Sequence, residues 1–235
     1  MASSCLLKLS RVLAIATIMG LPSAVVANES AADVSPFPRP GTYELARIFK
    51  APDNWVLEES SWWPHRLSSY TSGKITLLSF FYSTCRDPEG CPALWSMFES
   101  VHDLVNKDAK LHGKVRLVLI SLDPRVDTPR NLQVFATARR DTQRTAPWHF
   151  LTTWSDWFLG SILDGFGQAA ARDLDANGNP VTTISHQVKF YLMDRSSWVR
   201  EIYSSAFVTP EIIANDIRTL LLEAEARPPP DSRTK

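Results

Sequence analysis

"KITLLSFFYSTCRDPEGCPALW" occupies residues 74–95. Residues 74–82 form a nearly continuous apolar run of strand length, without the alternation of a strand that has one wet face. Such a run marks a strand buried on both sides. The run ends on Cys85, makes a polar turn and meets Cys91, which is followed by Pro92. Beyond it, Leu94, Met97, Phe98, Val101, Leu104 and Val105 recur at helical spacing, predicting a helix over 92–109. Asp87, Pro88 and Gly90 fill the first, second and fourth positions of a type I turn, whose ends approach within about 7 Å. The two thiols can therefore meet. Pro92 suits the first position of a helix, which makes Cys91 the expected cap. A helix N-terminus favours negative charge, so the Cys91 thiolate should form more readily than the ordinary pKa of about 8.5 implies. Three readings compete for the pair: a structural disulfide, a redox couple, or a soft-metal site. A bridge over so short a loop gives little stabilisation.

The regular pattern continues outward from this stretch. "KVRLVLISLD" (114–123) reads as a second buried strand, and "TPRNLQVFATARR" (128–140) as a helix capped by threonine with proline in its first turn. A short strand over 147–153 and a helix over 155–167 that stops at glycine follow. Residues 172–184 read as a polar loop, residues 186–194 and 197–204 as a hairpin, and residues 209–226 as a closing amphipathic helix. On the N-terminal side, residues 43–72 are irregular, with a hairpin or strand pair around "NWVLEESSWWP". Strands alternating with helices predict a parallel core with helices on both faces. A final hairpin adds an antiparallel strand. The expected class is α/β, with a thioredoxin-like fold: a central mixed sheet flanked by helices, ending in a β-hairpin and a helix. In that layout the end of the first long strand and the start of the antiparallel strand meet at one sheet edge, where Cys85 and His186 would lie.

Of the five histidines, His102 and His149 fall in apolar contexts that suit packing or surface roles, and His65 and His112 lie in turn-like stretches. His186 differs by position. It opens its expected strand with the parity of Val188, Phe190 and Leu192. Two thiolates and an imidazole make a soft three-coordinate set that suits Cu(I), and Cu(II) also accepts nitrogen and sulfur. Zinc would want a fourth ligand or an open catalytic position.

The 235 residues carry 25 basic and 25 acidic side chains, and 44% are hydrophobic. Balanced charge suggests neither nucleic acid nor an anionic membrane surface as partner. Residues 1–27 have Lys8 and Arg11 ahead of an apolar stretch, then Val25 and Ala27 as the small residues of a cleavage site. They read as a secretory signal peptide. Its removal takes Cys5 and leaves 23 basic against 25 acidic residues, about −2. The organisation expected is a signal peptide (1–27), a flexible leader (28–42), one thioredoxin-like domain (43–226) and a disordered tail (227–235). An Arg-rich amphipathic presequence is missing, so the expected location is periplasmic, where thiols tend to oxidise.

These segments together resemble the SCO/SenC family of copper chaperones, which help assemble the copper centre of cytochrome c oxidase. The resemblance spans about residues 70–223. It rests on "SGKITLLSFFYSTC" leading into "GCPALW", then "LVLISLDPRVDTP", "WHFLTT" and "ISHQVKFYLMD". It implies copper binding through two cysteines and one histidine, which match Cys85, Cys91 and His186. It departs in two respects: five residues separate the cysteines where the family usually has three, and the segment before His186 is longer than usual. Asp123 and Asp127 match acidic positions of a family motif near the metal. Asp127, beside Thr128 and Pro129, also reads as helix-start chemistry, while Asp123 is a candidate for supporting the site from behind the ligands. The resemblance implies a non-enzymatic role: delivery of copper to an oxidase subunit or similar copper protein. A copper donor and a thiol reductant would be partners, with the membrane involved only through a membrane-bound client. The alternative on the same fold is a thiol-disulfide oxidoreductase. Against it stand the absence of a C-x-x-C loop and the Ser185-His186 pair where ordinary thioredoxins place a proline. A peroxidase reading lacks the Thr-x-x-Cys context.

Overall fold

A computed structural model describes residues 37–138 and 145–226. The expected signal peptide, most of the expected leader and the expected tail lie outside these residues.

The apolar run forms β4 (Ile75–Phe81), whose seven residues are all buried. It pairs in parallel with β5 (Val115–Ser121), which pairs in parallel with β6 (Trp148–Thr152). On its other side β4 pairs antiparallel with β9 (Lys189–Met193), and β9 with β10 (Trp198–Ser204). The edges are closed by short N-terminal strands. β1 (Phe49–Lys50) pairs with β10, and the hairpin of β2 (Trp55–Glu58) and β3 (Pro64–Arg66) joins through β6. The eight-stranded order is β1-β10-β9-β4-β5-β6-β2-β3, the mixed sheet of a thioredoxin-like fold.

Because side chains alternate along each strand, the sheet builds two cores. On one face Leu77, Leu117, Leu119, Phe150 and Phe190 pack with Leu94 and Phe98 of α2 (Gly90–Lys107), Leu132 of α3 (Pro129–Thr137) and Ile217 of α5 (Pro210–Ala226). On the other face Leu78, Phe80, Ile120 and Tyr191 pack with Tyr70 of α1 (Ser68–Thr71) and with Ile162 and Phe166 of α4 (Asp156–Phe166). Burial on both faces is why β4 and β5 read as unbroken apolar runs. Thr128 caps α3, accepting from the Asn131 N–H, and α4 ends on Gly167 in the left-handed conformation (φ 59°), which glycine adopts without strain.

The structure corrects two element readings. Residues 172–184 lie largely in strand, not in a loop. β7 (Ala170–Leu174) and β8 (Pro180–His186) form a hairpin that stands as a separate two-stranded sheet. Most of its side chains are exposed or half-buried, so it lacks the hydrophobic pattern that marks a strand. Its turn runs through Gly178 (φ 82°), with Asp175 accepting from the N–H groups of Asn177 and Asn179. Consequently His186 ends β8 and does not open the following strand, which starts at Lys189. The second correction concerns α2, which begins at Gly90 with Glu89 in the cap position. Cys91 thus sits in the first turn, where Pro92, the next residue, still costs no intrahelical bond. Near the N-terminus, residues 38–41 lie along α5: Asn215 donates to the Pro38 carbonyl and the Gly41 N–H donates to Thr219. Among the described residues no helix is long and apolar enough to cross a membrane.

Candidate metal centre

Three residues separate β4 from Cys85. The chain then turns through Asp87, whose carboxylate accepts the Glu89 N–H at 2.9 Å. A Cβ on Gly90 would stand 2.6 Å from that carboxylate, so glycine is what lets Asp87 fold back over the helix start. The N–H groups of Glu89 and Gly90 hold the Asp87 carboxyl below its ordinary range, and the nearby His186 adds to this. The turn brings the Cα atoms of Cys85 and Cys91 to 6.4 Å, and the structure joins the two as a disulfide, within the usual bridging span.

Ala170 and His186 are opposite one another at the base of the β7–β8 hairpin. This base is fixed from several directions. Gln168 donates to the Gln187 carbonyl and accepts from Tyr191 Oη, and the Ile184 N–H donates to Tyr82 Oη at 3.4 Å. The Tyr82 ring meets the His186 ring edge-on at 5.8 Å. His186 Nδ1 is 3.0 Å from the Ile184 carbonyl. A carbonyl can only accept, so Nδ1 carries the proton and Nε2 keeps the lone pair needed by a metal.

Cys85, Cys91 and His186 line one open cavity of about 510 Å³, together with Tyr82, Asp87 and Ile184. Cys91 and His186 also share a smaller neighbouring pocket against Trp95 and Val188. The tertiary structure thus brings two cysteines and a histidine, about a hundred residues apart in the chain, to the lining of one cavity. Among the described residues no three of His, Cys, Asp and Glu stand together as a ready metal cage. A sulfur held in a disulfide has no thiolate charge to give, so reduction must precede coordination. The donor set suits a soft ion.

Asp123 does not line this cavity. It is buried in the loop after β5 and forms an ion pair with Arg172 of β7 at 2.8 Å. Asp127 is also fully buried, and accepts from the Ser83 N–H, the Ser83 hydroxyl and the Ser121 hydroxyl. Burial pushes its carboxyl up, against the pull of those donors. It therefore anchors the segment two residues before Cys85, beyond its place beside the Thr128 cap. Tyr82, Asp87, Gln168 and Arg172 were not legible as site residues, because each acts through a partner distant in sequence or through a turn. His102 is buried in α2, and His149 pairs with Glu58 at 2.9 Å, both away from the cavity lining.

No curated protein matches the chain. Solved structures share its fold. The ScoI of Bradyrhizobium japonicum with copper bound is 22% identical over 72% of this chain and 98% of that one, with a TM-score of 0.56. The ScoI of Arabidopsis thaliana with copper bound is 16% identical over 74% and 98%, with a TM-score of 0.60. A SCO1/SenC family lipoprotein from Bacillus anthracis str. Ames is 23% identical over 74% and 95%, with a TM-score of 0.59. Residues 66–222 match the SCO1/SenC family model, a span that begins at β3 and ends within α5 and so takes in both the cysteine turn and the histidine hairpin: the chain belongs to the SCO1/SenC family.

Proposed function

We propose that this protein is an exported copper chaperone that binds copper through Cys85, Cys91 and His186 and hands it to a cytochrome c oxidase subunit or a similar copper protein. The observation that carries this reading is the shared cavity, lined by two cysteines and one histidine beyond the end of the central strand β4. Family membership and the copper-bound Sco proteins of the same fold support it. Cu(I) fits two thiolates best, and Cu(II) is compatible with the added ring nitrogen. Loading requires two electrons and a thiol reductant to open the disulfide, and a donor to supply the ion. The work is done in the periplasm, with the membrane reached only through a membrane-bound client. The extra residues between the cysteines are taken up by the Asp87–Gly90 turn.

A second reading draws on the disulfide at an open cavity. The reduced pair could act on a client disulfide: one thiolate attacks, a mixed disulfide forms, and the second thiolate resolves it. The client leaves as a dithiol and this protein as the Cys85–Cys91 disulfide. Clearing a client's copper-binding cysteines in this way would precede delivery.

Anaerobic titration of the reduced protein against a competing Cu(I) chelator tests the first reading. The expected result is about one Cu(I) per chain, with loss of retention in Cys85→Ala and Cys91→Ala and weakened retention in His186→Ala. Unchanged affinity in His186→Ala removes the imidazole from the site. Insulin reduction without copper retention favours the second reading.

A further inference from the structure

The β7–β8 hairpin is hung beside the main sheet, not built into it, yet it carries His186. Besides the contacts at its base, a chain of polar contacts ties it to the cysteine turn. Starting two residues before Cys85, the N–H and hydroxyl of Ser83 donate to Asp127. Asp127 also accepts from the Ser121 hydroxyl, and Ser121 Oγ accepts the Asp123 N–H at 2.9 Å. The Asp123 carboxylate then reaches Arg172 at 2.8 Å, and a second nitrogen of that guanidinium donates to the Val181 carbonyl across the hairpin at 3.2 Å. Arg172 is opposite Ile184, two residues before His186 and itself bonded to Tyr82. Arg172 thus grips both hairpin strands and ties them to a buried carboxylate in the loop after β5.

We propose that the Asp123–Arg172 ion pair is the latch that positions His186 over the cysteine turn, and so sets how much the imidazole contributes to holding copper. The proposal rests on the copper site described above and adds to it a pair of positioning residues, neither of them a ligand. The physics favours a latch over a passive contact. The Asp123 side chain is only 2% exposed, against 22% for Arg172, so Asp123 cannot exchange this partner for water while the hairpin stays in place. A buried carboxylate that loses its partner is strongly disfavoured. Small displacements of a supporting group change metal affinity because ligand geometry is held from behind.

The test uses the full chain, reduced, with Cu(I) as the probe. Arg172→Met is expected to weaken Cu(I) retention about 10-fold or more, and His186→Ala added to it should then cost little further. In the parent the same His186→Ala change carries its full effect. The Cu(II)-loaded Arg172→Met protein should also lose nitrogen hyperfine splitting in its electron paramagnetic resonance spectrum, which a general loss of stability would not produce. Should Arg172→Met fail to fold, the paired change Asp123→Asn with Arg172→Met leaves no buried unpaired charge and is read in the same way. A folded variant with parental affinity, parental nitrogen splitting and a full additive cost of His186→Ala overturns the latch. If instead His186→Ala has no effect in the parent, the copper site itself is wrong.

Discussion

Burying a carboxylate costs stability unless its oxygens are met by donors, and Asp127 meets three, from Ser83 and Ser121. Asp127→Ala would strand the buried Ser121 hydroxyl and unpair the half-buried Ser83, an expected cost of about 2–3 kcal/mol, read as a lowered urea midpoint. Its pKa is raised mainly by burial. A raised folded pKa means that Asp127 stabilises the fold fully below its ordinary pKa of 3.8, and that this contribution fades as pH rises through the folded value. Asp127→Asn should therefore remove that decline from the pH–stability curve. At this scale the sequence was partly legible. Cys85, Cys91 and His186 could be singled out by chemistry and position. The wider role of Asp127 could not, because its partners lie on two other segments and proximity to a helix start was the nearest local explanation. Arg172 was invisible for the same reason: nothing in "AARDL" signals a buried acid some fifty residues upstream.

At the level of elements, the β2–β3 hairpin is held to the sheet by few backbone pairs, and side chains supplement them. Glu58 on β2 accepts from His149 on β6 at 2.9 Å and from Tyr70 of α1 at 3.1 Å. Burial raises the Glu58 pKa, but His149 and Tyr70 together bring it below the ordinary 4.5. A depressed folded pKa stabilises the fold above that ordinary value and is lost as pH falls through the folded one. Glu58→Gln should thus cost about 1 kcal/mol at neutral pH and flatten the acid limb of the stability curve below about pH 4.5, measured by denaturant unfolding across pH. Elements with strong periodicity, such as α2, β4, β5 and α5, were readable because each buries a continuous face. β7 and β8 were not, because a hairpin standing apart from the core has little apolar pattern to show. α2 starts two residues before the expected position, because a proline near a helix start marks the first turn without choosing the position within it.

For the whole molecule, the two cores carry the stability and the disulfide adds little to it. Phe98 is fully buried between α2 and the sheet, and Phe98→Ala should cost about 3–5 kcal/mol. Opening Cys85–Cys91, which closes a separation of only six residues, should cost at most about 2 kcal/mol. Paired unfolding curves of oxidised and reduced protein, beside those of Phe98→Ala, would show the order reversed if the bridge were the main staple. The mixed sheet with helices on both faces is written in the linear chain, because burial on one or two sides imposes a hydrophobic period that survives there. So is the cysteine turn, whose geometry is local. That His186 ends a separate hairpin facing that turn, and that Asp123 reaches it through Arg172, emerges from folding alone. Contacts between distant segments depend on where the packed sheet sets its loops, and no local pattern of residues encodes that placement.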